Sequence, residues 1–147
     1  MGWVNDLRGQ TVGLDTSPLI FYIEEHADYV ESLDEFFIAL ESGSFRVVTS
    51  TVTLLEVLVH PLRRGDEVLA HRYNDVLLSS PDISTLPVTH TIAQEAAELR
   101  ARHNLKTVDA IQLATALSEG ATAFVTNDRG FPDNCGIKIL RVKDIRN

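Results

Sequence analysis

The chain has 147 residues, 44% of them hydrophobic and 23% charged, and a net charge of −8. Such a composition suits one globular domain with a full core, and no apolar run approaches the ~20 residues needed to cross a bilayer. The negative balance excludes a protein that coats nucleic acid by charge alone, and the single cysteine, Cys135, excludes an intrachain disulfide or a cysteine metal cluster.

The opening MGWVNDLRGQ is polar and mixed in charge, so it does not read as a signal peptide, and Asp6 stands where a myristoylation signal needs Ser or Thr. A cytoplasmic protein is expected, with residues 1–147 as one domain and 1–10 as an N-terminal extension. Thr11–Leu14 predicts a short strand ending at Asp15. Thr16-Ser17-Pro18 then starts a helix, with a hydroxyl cap and proline in the first turn. Val30, Leu33, Phe36, Phe37 and Leu40 recur at helical spacing within Ala27–Leu40, and Ser42-Gly43 stops that helix. Phe45–Thr49 reads as a strand. Ser50 or Thr51 caps a further helix, which Pro61 ends or kinks. Asp66–Leu78 is amphipathic, Ile83–Val88 is a short strand, and Thr91–His103 and Thr107–Leu117 are helices, the second stopped by Gly120. Ala121–Val125 is a buried strand, Asn127-Asp128 a turn, and Ile137–Leu140 the last strand.

Strands alternate with helices throughout. That order predicts an α/β fold with a mostly parallel central sheet covered by helices. Sites in such sheets form beyond the carboxyl ends of the strands, where Asp15 and Asp128 both fall.

Four acids stand at element boundaries or among apolar neighbours, and each has two readings. Asp15 can hold a cation at the sheet edge, or it can support the start of the following helix. Glu56 lies in Leu54-Leu55-Glu56-Val57-Leu58-Val59, where burial is costly unless the carboxylate is paired or bound to metal. Alternatively it faces solvent on the exposed stripe or pairs with an arginine. Asp109 sits in a first helical turn, which the helix dipole alone favours by ~0.3–1 kcal/mol. Ala110, Ala114 and Ala116 after it also permit close backbone packing. Asp128 belongs to Thr126-Asn127-Asp128-Arg129-Gly130, a turn by composition and a strand end by position. Together the four point at one sheet edge.

Leu14-Asp15-Thr16-Ser17-Pro18-Leu19-Ile20, Thr53-Leu54-Leu55-Glu56-Val57, Val108-Asp109-Ala110-Ile111-Gln112-Leu113-Ala114-Thr115-Ala116 and Val125-Thr126-Asn127-Asp128-Arg129-Gly130-Phe131 follow one another in this order. In order and spacing, across about residues 11–142, they resemble the PIN-domain nucleases, especially the small VapC-like toxins. The resemblance implies a three-layer α/β/α fold and Mg²⁺- or Mn²⁺-dependent cleavage of RNA. It implies Asp15, Glu56, Asp109 and Asp128 as catalytic acids, with Asp15, Asp109 and Asp128 on the metal, and Ser17 and Thr126 as groups that orient carboxylates or water. It further implies a homodimer and an antitoxin whose basic or aromatic segment blocks the acidic pocket. The likeness departs at Gly130, where some members carry another acid, which implies a weaker or substrate-dependent second metal. It departs also in the roughly ten residues before the first strand.

Hard Mg²⁺ takes carboxylate oxygens and waters, which is why this chemistry needs acids. A receiver-type signalling domain would need a mid-chain phosphoacceptor aspartate, and Phe45–Thr49 is followed by Ser50 and Thr51. A haloacid-dehalogenase-like phosphatase would need an aspartate where Ser17 stands. The remaining alternative is a non-catalytic PIN-fold module that binds RNA or protein. His26, His60, His71, His90 and His103 show no ligand spacing, and Cys135 has no base near it in sequence. The basic groups Arg63-Arg64, His71-Arg72, and Arg100, Arg102, His103 and Lys106 read as solvated helix faces or as a phosphate track.

Overall fold

A computed structural model describes residues 2–145. Five strands, β1 (Thr11–Leu14), β2 (Arg46–Ser50), β3 (Ile83–Leu86), β4 (Ala123–Thr126) and β5 (Lys138–Arg141), form one sheet in the order β3-β2-β1-β4-β5. Every pairing is parallel. The helices between them are α1 (Thr16–Ile23), α2 (Val30–Glu41), α3 (Thr51–Arg64), α4 (Glu67–Asn74), α5 (His90–His103) and α6 (Thr107–Ser118).

Side chains alternate across each strand, and the two faces build two cores. Val12, Leu14, Val47, Ala123 and Val125 face a cluster with Leu19, Leu33, Phe36, Leu40, Val57 and Tyr73. Val48 and Phe124 face the other, with Ile92, Leu99, Leu113 and Ala114. The sheet is therefore sandwiched between helices in three layers. Gly13 sets the closest approach: a Cβ there would stand 2.6 Å from both the Ala116 Cβ and the Phe124 Cδ1. The small residues of α6 let it lie directly on β1.

Several boundaries differ from the sequence reading. Asp15 itself caps α1, accepting from the Thr16 N–H at 2.9 Å, where a hydroxyl cap is predicted. Residues 27–29 precede α2 instead of opening it, and Tyr29 stacks on Phe21 and on His26 there. Pro61 lies inside α3, which continues to Arg64 and ends at Gly65 with φ 68°. Pro61 removes one helical N–H, three residues before the end, and its ring is buried in the core. The helix predicted to Leu78 becomes π-helical over Asp75–Ser79, where the Thr85 hydroxyl draws off the Leu77 carbonyl at 2.6 Å. A 3₁₀ helix, Gly2–Leu7, precedes β1; Val4 and Leu7 are buried and Trp3 stacks on Phe36 at 5.5 Å.

Among the described residues no helix is long and apolar enough to cross a membrane.

Candidate active site

The chain runs from β1 outward to β2 and β3, then returns to the far side of β1 for β4 and β5. The order therefore reverses between β1 and β4, and a crevice opens at their carboxyl ends. Asp15 directly follows β1, and its N–H extends the ladder to the Val125 carbonyl at 2.9 Å. Asp128 stands two residues beyond β4. Glu56 lies in the second turn of α3, which rises from the end of β2. Asp109 occupies the first turn of α6, whose N-terminus must meet the same edge because the helix runs back to start β4.

Asp15 is 6% exposed, and both carboxylate oxygens are held: Oδ1 by the Thr16 N–H and Oδ2 by the Thr126 hydroxyl at 2.7 Å. The Thr126 oxygen also accepts from the Asp128 N–H at 3.0 Å, which joins the two aspartates through one buried side chain. Asp128 Oδ1 accepts from the Gly130 N–H at 2.8 Å. Gly130 has a spatial role as well. A Cβ at this position would come within 3.2 Å of Asp128 Oδ1 and 3.6 Å of Asp109 Oδ2, so its absence leaves an open cradle between two carboxylates.

Glu56 is half-buried and takes a 2.6 Å hydrogen bond from the Thr16 hydroxyl. Behind it lies a polar network that the sequence reading missed. Gln112 Nε2 donates to Thr53 Oγ1 at 2.5 Å and to Thr16 Oγ1 at 3.2 Å, and Thr49 donates to Thr53 at 2.9 Å. Gln112 Oε1 is buried without a partner. The available signal was Gln112 three residues after Asp109, on the same face of an apolar helix. Ser17 lies half-buried in the first turn of α1; the hydroxyl that reaches the acids from this turn is that of Thr16.

The acids feel one another. Burial raises the Asp15 pKa, the hydrogen bonds from Thr126 and Thr16 oppose this, and repulsion from Glu56 and Asp128 adds to it. Asp109 is pushed up to about 6, first by burial, then by Asp128 and Asp15; Lys106 partly offsets this and Glu56 adds to it. Mutual repulsion among carboxylates in a crevice marks a functional site more often than a structural one.

The donor set is all oxygen, which matches a hard divalent cation. Among the described residues no three His, Cys, Asp or Glu side chains stand together as a group that would hold a metal ion by itself. Mg²⁺ does not require one, since it keeps several waters and takes one or two carboxylates plus substrate phosphate. The cradle at Gly130 and the uncompensated charge of Asp15, Asp109 and Asp128 fit such an ion.

A family profile described as the PIN domain matches residues 12–137. Among solved structures, VapBC2 of Rickettsia felis bound to a promoter DNA fragment is similar with TM-score 0.68 and 15% identity, covering 89% of this chain and 98% of that one. VapC20 of Mycobacterium tuberculosis, a sarcin-ricin loop cleaving toxin, gives 0.63 and 19% over 78% and 86%. VapBC-5 of the same organism gives 0.57 and 28% over 88% and 98%. Among curated proteins no sequence match was found.

Proposed function

The chain belongs to the PIN-domain family, and we propose that it is a Mg²⁺- or Mn²⁺-dependent endoribonuclease, the toxin of a toxin–antitoxin pair. The observation that carries this reading is the convergence of Asp15, Glu56, Asp109 and Asp128 at the switch point of the sheet, with their charges coupled. A neighbour described as a sarcin-ricin loop cleaving toxin and others described as toxin–antitoxin complexes support the substrate class and the setting.

Asp15, Asp109 and Asp128 would hold the cation, directly or through water. When bound, the ion acidifies water and neutralises charge building on a phosphodiester. The chain's own groups prepare the rest. Thr126 and the Thr16 N–H fix the plane of the Asp15 carboxylate. Thr16 holds one Glu56 oxygen, leaving the other to orient an attacking water and accept its proton. Water adds to phosphorus in line with the O3′ leaving group and gives its proton to Glu56, the P–O3′ bond breaks, O3′ takes a proton from solvent, and the products are a 5′-phosphate and a 3′-hydroxyl. Ser17 is proposed as a further hydroxyl for ordering water at the pocket.

A cytoplasmic toxin of net charge −8 suits an antitoxin with a basic segment seated over the acids. A homodimer is also proposed. The apolar periodicity of α2 and α4 is spent on the core through Leu33, Phe36, Phe37, Leu40, Ala70 and Tyr73, so the dimer surface would use exposed Leu55, Leu62 and Val68. A monomeric mass at micromolar concentration would count against it.

The test is cleavage of a labelled single-stranded RNA with Mn²⁺ or Mg²⁺ and with EDTA, beside Asp15→Asn prepared identically. Metal-dependent cutting lost in the variant supports the assignment. A variant that cuts at the wild-type rate refutes it. The second reading, a non-catalytic RNA- or protein-binding module, is favoured by Gly130, which stands where some family members carry another acid. It predicts metal and RNA binding without turnover.

A further inference from the structure

The basic groups prominent in the sequence are largely committed locally. Arg100 donates to the Leu105 carbonyl at 2.8 Å and to the Thr107 hydroxyl at 3.0 Å, Arg72 donates to the Ile23 carbonyl, and Arg102 pairs with Glu98. A different set of cations borders the acids. A cleft of about 390 Å³ is lined by Arg129, Arg141 and Lys143 together with Asp133 and Asp144.

Three observations fix this cleft beside the carboxylates. Arg129 is the next residue after Asp128. Arg141 is the register partner of Thr126, the residue that holds Asp15, so its backbone lies one strand away, at ~4.8 Å. The Lys143 N–H donates to Asn127 Oδ1 at 3.0 Å, which ties the turn after β5 to the loop that carries Asp128.

The cations divide into a fixed one and two free ones. Arg141 is held on the Phe131 carbonyl at 2.5 Å and on Asp133 Oδ1 at 3.0 Å. Its side chain is 17% exposed, whereas that of Asp133 is 85% exposed. An exposed carboxylate thus rests as an anion on a largely buried, preset guanidinium. Among the described residues, Arg129 and Lys143 have no side-chain hydrogen bond or ion pair. A polyanionic substrate is repelled by the four acids and needs attraction from an adjoining surface, and guanidinium and ammonium groups supply it at phosphate oxygens.

We infer that the cleft of Arg129, Arg141 and Lys143 is a phosphate subsite, gripping a phosphodiester of the RNA chain next to the one that is cut. This rests on the nuclease reading of the acids.

The experiment uses Arg129→Gln, Lys143→Gln and the double variant, each in the wild-type and Asp15→Asn backgrounds. Arg129 is exposed and Lys143 half-buried, and an unchanged Tm confirms folding. Binding of a labelled single-stranded oligoribonucleotide to the Asp15→Asn proteins is measured in EDTA across a salt series. The log–log salt slope should shrink by about 0.7 for each cation removed, and the double variant should bind about tenfold more weakly at low salt. In the wild-type background KM should rise with kcat nearly unchanged, as for a contact made equally in ground and transition states. An unaltered slope and KM with cutting intact would overturn the subsite and leave the nuclease standing. Cleft-dependent binding by a wild type that never cuts would keep the subsite and overturn the nuclease. A wild type that binds no RNA would overturn both.

Discussion

Replacing Asp109 by Asn should make the metal-free protein more stable. Asp109 is 8% exposed, and its folded pKa is about 6 against 3.8 for a free side chain. At ~1.36 kcal/mol per pKa unit, keeping this group ionised at neutral pH costs up to about 3 kcal/mol. The helix N-terminus gives back ~0.3–1 kcal/mol to a negative charge, which leaves a net gain of about 2 kcal/mol for the amide. For a chain of this size, ~2–4 °C per kcal/mol predicts a Tm rise of about 4–8 °C. The sign has a pH signature. Because the folded value is raised, the folded chain binds this proton more tightly than the unfolded chain. The Asp109 penalty is therefore absent below ~4, grows as pH rises through about 6, and is complete above it. Thermal unfolding of both proteins in EDTA between pH 4 and 7, conditions spanning the titration, should show the variant's advantage widen up to about pH 6 and level off above it. Mn²⁺ should then raise the Tm of the wild type and leave Asp109→Asn almost unmoved. A variant less stable than the wild type in EDTA at neutral pH, or an advantage independent of pH, would refute the argument that Asp109 is buried against its neighbours' charge.

Thr126→Val removes the donor to Asp15 and the acceptor for the Asp128 N–H; Mn²⁺ affinity or cleavage should fall ~10–100-fold, measured by titration and turnover. Gly13→Ala drives a methyl to 2.6 Å from Ala116 and Phe124, and chemical denaturation should show a loss of ~1–3 kcal/mol or more. Trp3→Ala removes a half-buried ring stacked on Phe36; stability should fall by about 2 kcal/mol, less than the ~3–5 of a fully buried aromatic, with cleavage per folded molecule unchanged. A Trp3→Ala protein as stable as wild type would show that residues 2–7 lie on the core without holding it.

The apolar runs predict all the strands to within a few residues; the inner strands β1, β2 and β4 are buried almost throughout and leave blocks such as Ala121–Val125, while the edge strands β3 and β5 leave weaker ones. Their limits slip where burial and pairing part company: Phe45 and Ala121 are buried but stand outside the ladder. Helix limits slip where tertiary contacts overrule local preference, as at Pro61 and at the Thr85–Leu77 bond. The acids are legible because a carboxylate at a strand end or within an apolar helix is conspicuous. Their hydroxyl and amide supports are not: Thr16, Thr53 and Gln112 are unremarkable in local context and meet across 37 to 96 residues. The cleft of Arg129, Arg141 and Lys143 is hidden for the same reason, since its two halves are brought together by the Thr126–Arg141 register and by the Lys143–Asn127 bond.

The supporting network also accounts for how the crevice tolerates its acids. Burial and mutual repulsion both raise the Asp15 pKa, while the bonds from Thr126 and Thr16 lower it. Those bonds favour the ionised form, which the proposed cation would need, without adding a permanent positive charge to the crevice. Hydroxyls and backbone N–H groups suit this task because they stabilise a carboxylate in place and leave its net charge in the pocket. An arginine at position 126 would neutralise Asp15 more strongly and would also fill the crevice. The cations instead stand one strand away, on β5 and in the loop after Asp128, where they can attract phosphate without quenching the acids. That separation of charge, acids at the β1–β4 switch point and bases beside it, is what a site for cutting a polyanion with a divalent ion requires.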